Sequence, residues 1–353
     1  MSLVALRKNR QSLRGPEAEI EKDFRSRRAV AVRSVRITPR VPQRTQGQMH
    51  RSIENVSAIA DSIFESYRLE GKIGNTDGSI LPSKEVIASV CESILELLFP
   101  GVYGEEPIYS PHLRMVTGHR VRGVVTRLTI ELWKAFQITD NRSSAAEIEQ
   151  AVLRSIKKLP EVREVLETDI EAAFRGDPAA ASHDEVIVAY PFLEAVAIQR
   201  VAHLLYLEGL PLVPRIMTEW AHSRTAIDIS PGTEIGSHFF IDHGTGVVIG
   251  ETSRIGSHVK LYQGVALIAR SLSAGQALHG QKRHPTLEDN VTVYSGSSIM
   301  GGDTIIGAGS TIGANVFLTH TVPARSVVFY DEGKLQIRSK DKHPAGPVQD
   351  WMI

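Results

Sequence analysis

Between about residue 51 and about residue 222 the apolar positions recur at helical spacing, as in Ile53, Val56, Ile59 and Ile63, and again in Val86, Val90, Ile94 and Leu97. The spacing predicts helices. Pro160 suits a first turn, and Gly176 with Pro178 suits the far end of a helix carrying Val162, Val165, Ile170 and Ala173. A last helix is predicted from roughly Phe192 to Leu207, packing through Val196, Val201, Leu204 and Leu205.

Near residue 225 the period changes. Aliphatic residues now recur every six positions, at Ile229, Ile235 and Ile241, at Ile249, Ile255, Leu261 and Leu267, at Leu287, Val293 and Ile299, and at Ile306, Ile312 and Leu318. Glycine follows directly in Ile235-Gly236, Ile249-Gly250, Ile255-Gly256, Ile306-Gly307 and Ile312-Gly313. A period of six built from short strands and turns predicts a parallel β-helix, with three hexapeptides per triangular coil and coils about 4.8 Å apart. An antiparallel sheet would alternate with period two and turn through hairpins. Val247-Val248 adds two residues to the repeat, and Ile268 to Thr286 is a long excursion of the kind that carries function. The chain therefore divides into an arm (1–50), a helical domain (51–222), a β-helix domain (223–330) and a flexible tail (331–353).

Charge narrows the partners. Lys+Arg and Asp+Glu both number 40 and the pI is about 7.3, so no whole-chain field favours nucleic acid or a membrane surface. The arm is basic, but Glu17, Glu19, Glu21 and Asp23 interrupt it and no apolar core follows, so targeting signals fit poorly, and a solvated tail is expected rather than a polyanion-binding segment. Val186 to Leu207 carries Glu194, Gln199, Arg200 and His203, so no membrane span is expected. A single cysteine, Cys91, cannot form an intramolecular disulfide and fits a reducing, cytoplasmic setting.

Asp242-His243 puts an acid and an imidazole side by side within the repeat, a candidate general base. Asp228 lies fifteen residues earlier, slightly less than one coil of about eighteen, so it could orient the imidazole through its second nitrogen. The bland alternative is a turn-capping Asp and a solvent-facing His. Lys282-Arg283-His284-Pro285 closes the excursion and offers cationic donors suited to a carboxylate, although such loop ends are often only solvated. His238 and His243 have the H-x4-H spacing of zinc ligands on β-helices of the carbonic anhydrase type. His203, the residue nearest the place of the third ligand, falls in a predicted helix, so no metal is expected.

The run from Phe240 through Asp242-His243-Gly244-Thr245-Gly246 to Gly250-Glu251-Thr252, followed by Leu261-Tyr262-Gln263-Gly264-Val265 and Arg283-His284-Pro285-Thr286, resembles the serine O-acetyltransferases of cysteine biosynthesis, a hexapeptide-repeat acyltransferase family. The resemblance covers roughly residues 169–328, including Asp177-Pro178-Ala179 and Tyr190-Pro191, and leaves the first 110 or so residues outside. It implies a multidomain α+β fold, an α-helical N-terminal part followed by a left-handed parallel β-helix of hexapeptide repeats. It also implies that His243 is the base, Asp228 its dyad partner, Asp177 and Asp242 the ligands of the serine ammonium, and Arg283 and His284 those of the carboxylate. Acetyl-CoA would be a co-substrate held mainly by backbone groups near Ser295 and Ala314, with no permanently bound cofactor and no metal. Members of the family form trimers with the active site between neighbours, often paired into hexamers. Members commonly insert a C-terminal isoleucine, here Ile353, into cysteine synthase, and cysteine, which differs from serine only by sulfur for oxygen, is expected to inhibit in the same Asp177, Asp242, Arg283 and His284 pocket.

The departures keep alternatives open. Leu267-Ile268-Ala269-Arg270 follows Gly264-Val265-Ala266 where the family usually reads Leu-Gly-Gly-Thr after Gly-Val-Thr, and the added side chains are expected to crowd the CoA arm. The loop before Arg283 is longer than usual, and the coils end on Val322-Pro323-Ala324 rather than Gly-Val-Pro-Ala. An acyltransferase with another amino-acid acceptor or acyl donor, or a non-catalytic regulatory homologue, would also satisfy the sequence.

Overall fold

The computed structural model describes residues 43–67, 80–104, 109–139, 143–270, 273 and 275–330. Most of the arm and the whole tail, Ile353 included, lie outside the described residues. Two compact units are present, Met1–Thr76 and Asp77–Ile353. The described part of the first is one helix, α1 (Gln43–Tyr67), which crosses the arm boundary expected at residue 50.

In the second unit the helical periodicity becomes α2 (Lys84–Leu98), α3 (Leu113–Gln137), α4 (Ala145–Ile156), α5 (Leu159–Gly176), α6 (His183–Ala189), α7 (Pro191–Leu207) and α8 (Val213–Thr225). Their ends follow local chemistry. Ser83 caps α2 by accepting from Val86 N, Ser144 and Glu147 form a reciprocal capping box on α4, and Pro160 sits in the first turn of α5. The α2 stripe of Ile87, Val90, Cys91, Ile94 and Leu98 is fully buried, as is the α7 stripe of Val196, Val201 and Leu205. Among the described residues no single helix is long and apolar enough to cross a membrane.

Helix α8 ends at Thr225 and the β-helix starts at Ile227, close to the expected change of period. Its strands are β1 (Ile227–Ile229), β2 (Glu234–Ile235), β3 (Phe240–Asp242), β4 (Val247–Ile249), β5 (Arg254–Ile255), β6 (Lys260–Tyr262), β7 (Ala266–Ile268), β8 (Thr286–Leu287), β9 (Thr292–Val293), β10 (Ser298–Met300), β11 (Ile305–Ile306), β12 (Thr311–Ile312), β13 (Phe317–Leu318) and β14 (Val327–Val328). All pair in parallel in three sheets, ordered β1-β4-β7-β10-β13, β2-β5-β8-β11 and β3-β6-β9-β12-β14. These are the three faces of a left-handed β-helix of about five turns.

The period-six aliphatics stack inward from coil to coil, with Ile229 on Ile249 on Leu267 on Ile299. Both interruptions of the repeat are absorbed in register. The Val247-Val248 insertion sets Ile229 and Ile249 twenty residues apart, and the excursion sets Leu267 and Ile299 thirty-two apart, without displacing the inner column.

Helices and coils share one core. The Phe192 and Phe240 rings meet edge to face, 5.1 Å between centroids. Asp169 on α5 is fully buried and receives both Nε and Nη2 of Arg200 on α7, at 3.0 and 3.1 Å. Arg200 also donates to the carbonyls of Ile235 and Gly236, and Asp169 accepts from Phe239 N. Burial pushes the Asp169 carboxyl up to about 6 against the pull of the guanidinium. This network fastens α5 and α7 to the turn between β2 and β3.

Candidate active site

The three faces meet along three edges, and the site residues fall on two of them. After β3 the chain turns toward β4 through His243 and Gly244, both in the left-handed region at φ 61° and 84°. Gly244 cannot be replaced without strain, because a Cβ there would stand 2.5 Å from Ile227 Cδ1. His243 accepts the left-handed conformation although it carries a side chain, and holds its imidazole 69% exposed with Nδ1 3.7 Å from Asp242 Oδ1.

The same edge continues upward through Gln263-Gly264, Ser295-Gly296 and Ala314-Asn315, linked by Gly264 N to Thr245 O, Gly296 N to Gln263 O and Asn315 N to Ser295 O. Ser295 and Ala314 thus lie on the edge that carries His243. Gly246, Gly264 and Gly296 stack along it, with the Asn315 side chain over Gly296, and the buried Oε1 of Gln263 has no hydrogen-bond partner.

Asp177 reaches this edge from the helical part. It caps the C-terminus of α5, accepts from Ala179 N at 2.9 Å, and takes the hydroxyl of Tyr190 from the α6–α7 junction. Those two hydrogen bonds, the tyrosine's first, hold its carboxyl below the usual range, helped by the nearby charge of Lys260. Lys260 Nζ lies 3.1 Å from Asp242 Oδ2 and donates to Gly176 O at 2.7 Å.

The turn from the β1 face to the β2 face forms a second edge, where the excursion ends. Thr252 organises it. Its Oγ1 accepts from the backbone N of Arg283 and of His284, and its own N donates to His284 Nδ1 at 3.1 Å. Arg283 is paired with Glu251, which Tyr206 also contacts. The His284 ring is buried against Gly250, and burial, then the charge of Arg283, lowers its pKa to about 4. His284 is therefore a neutral donor through Nε2, where the sequence suggested a cationic one.

No protein-family model matches the chain. The plasmid-encoded serine acetyltransferase of Synechococcus elongatus is 41% identical over 288 residues, spanning 76% of this chain and 86% of that protein. The chain belongs to the serine acetyltransferase family. The Mycobacterium tuberculosis serine acetyltransferase is 42% identical over 185 residues, covering 52% of this chain and 77% of its own. Among solved structures, serine acetyltransferase isoform 3 of Entamoeba histolytica, in complex with cysteine, superposes with a TM-score of 0.63 at 33% identity over 80% of this chain and 94% of that one.

Within one serine acetyltransferase chain the structure gathers Asp177, Asp242 and His243, and aligns Ser295 and Ala314 above them. Arg283 and His284 stand on the neighbouring edge. The expected dyad is not formed in the single chain. The carboxylate of Asp228 faces Arg215 Nη1 at 3.4 Å, within a cluster where ligand atoms of Glu219, His222 and Asp228 lie within 4.8 Å of one another. Arg215 also pairs with Glu219, so its guanidinium spans two of the three.

His238 and His243 do not converge as zinc ligands. They flank β3 at opposite corners, and His238 stacks on His258 with 4.0 Å between ring centroids. His203 turns Nδ1 to the carbonyl of Pro231 at 2.8 Å. Arg270 is drawn along the second edge to Asp303 at 2.8 Å and Thr319 O at 2.7 Å, so within one chain it does not obstruct the His243 edge. Sequence reasoning passed over Lys260, Tyr190 and Thr252 as site residues. Tyr190 and Thr252 stood inside the runs that carried the resemblance, whereas Lys260 had no signal.

Proposed function

We propose that the protein transfers the acetyl group of acetyl-CoA to the hydroxyl of L-serine, giving O-acetylserine and free CoA. The observation that carries this reading is an exposed imidazole, His243, set beside the carboxylates of Asp177 and Asp242 on one edge of a serine acetyltransferase coil. Asp177 and Asp242 hold the serine ammonium, and the Arg283 guanidinium with the Nε2–H of His284 holds its carboxylate. His243 takes the hydroxyl proton as the serine oxygen attacks the thioester carbonyl. The tetrahedral intermediate then collapses, the C–S bond breaks, and the imidazolium returns its proton to the departing thiolate. Asp228 would pair with that imidazolium.

The stacked glycines and the unpartnered Gln263 amide oxygen fit a strand-like pantetheine arm lying past Ser295 and Ala314. Because the carboxylate-binding pair lies on a different edge from His243, we read the complete serine site as shared between copies of the chain, in a trimer or a pair of trimers. The reading extends to cysteine synthase as the partner of the tail through Ile353. It places the reaction in the cytoplasm, which the buried, unpaired Cys91 supports.

Thiol release from acetyl-CoA, followed with L-serine, L-homoserine and L-threonine, tests the proposal. Release with serine far above the other two is expected. Preference for homoserine or threonine, or no release with any of the three, overturns it.

A further inference from the structure

Lys260 occupies an outward position on β6. There it is diagonal to Asp242 on β3, since Phe240 pairs with Lys260 and Asp242 with Tyr262 across the coil-to-coil register. A lysine on the outer face of a strand is ordinarily a solvated residue. This one is folded inward, its side chain only 19% exposed. Nζ donates to Gly176 O, lies 3.1 Å from Asp242 Oδ2, and is sandwiched by the Phe240 ring at 4.9 Å and the Tyr262 ring at 4.5 Å. Its contacts therefore fix it in place.

The surroundings identify which charge it answers. On the far side of its stem lies a cleft of about 290 Å³ lined by Glu171, Arg175, His238 and His258. Glu171 is already paired there with Arg175 and, at 2.6 Å, with His183. On the near side stand Asp242 and Asp177, with the Tyr190 hydroxyl on Asp177 and the His243 ring beside Asp242. One ammonium thus faces two carboxylates, and the peptide that accepts its hydrogen bond, Gly176–Asp177, positions the second carboxylate.

On the reading of this edge as a serine site, we infer that Lys260 is a positioning residue that holds the Asp242 carboxylate and the Gly176–Asp177 peptide in the arrangement that receives the acceptor's α-ammonium. Burial alone would lower the lysine pKa, but Tyr262 and Asp242 outweigh it and hold the group charged.

Calorimetric serine binding, together with the KM of each substrate, tests this on the full chain. Lys260→Gln keeps a donor for Gly176 O but no charge. It should bind serine about tenfold more weakly than the wild type. The acetyl-CoA KM should remain within about twofold, and Lys260→Arg should restore serine affinity. A folded Lys260→Gln with serine affinity at or above that of the wild type, or one that raises both KM values alike, overturns the inference. Wild-type thiol release with serine alongside an unaltered Lys260→Gln serine affinity would sink this inference alone. Serine binding without thiol release would sink the proposed activity instead.

Discussion

The backbone N–H of Thr252 points at Nδ1 of His284 over 3.1 Å, which leaves the imidazole proton on Nε2. Protonating Nδ1 would break this contact inside a buried pocket beside Arg283, so the folded pKa lies at about 4 against an ordinary 6.5. The unfolded chain therefore takes up this proton first as pH falls. The associated stability is complete above about pH 6.5 and is lost between 6.5 and 4, up to about 3 kcal/mol. His284→Asn places an amide oxygen near Nδ1 and does not titrate. Urea midpoints over that range should fall more steeply for the wild type than for the variant, and parallel curves would contradict the assignment.

Gly250 leaves room for the same ring. A Cβ on Gly250 would come within 2.1 Å of His284 Cδ2 and 2.2 Å of Nε2. Gly250→Ala should displace the imidazole and lower kcat/KM for serine by roughly 10- to 100-fold, the acetyl-CoA KM changing much less. An unaltered serine KM would show that the ring does not touch the acceptor.

Tyr190 aims the other end of the site. Its hydroxyl donates to Asp177, and this bond together with burial pushes the tyrosine up to about 12. Tyr190→Phe should raise the serine KM by roughly 10- to 100-fold, the cost of one hydrogen bond to a charged group, with little effect on kcat. Equal loss in kcat would place Tyr190 in the chemical step instead.

The period of six was legible because inward positions of a coil tolerate only aliphatic residues, and so were the two interruptions, because inserted residues leave that column intact. His243 and Asp242 were legible as an acid and a base where the repeat needs neither. Lys260 was not, since a lysine outside a strand looks the same in a sequence whether it faces water or folds onto a carboxylate. The Asp228 spacing carried no sign of its other neighbour: the carboxylate faces Arg215 at the start of α8, and no repeat arithmetic includes a helix side chain. The separation of Arg283 from His243 was likewise hidden, because it depends on which edge of the prism the excursion ends on.

The Asp169–Arg200 pair should behave as a single clamp. Arg200→Met leaves a buried carboxylate unpaired and is expected to cost about 3 to 5 kcal/mol in denaturant unfolding. Asp169→Leu combined with Arg200→Met should cost much less than the sum of the two single changes. Additive losses would mean that the two residues do not act on each other.

The central claim is that His243 removes the serine proton. Serine-dependent thiol release by His243→Ala, measured beside calorimetric serine binding, tests it most directly. Turnover should fall by about 10²- to 10⁴-fold while serine affinity stays within about threefold of the wild type. Turnover by the folded variant within about threefold of the wild type would contradict the account.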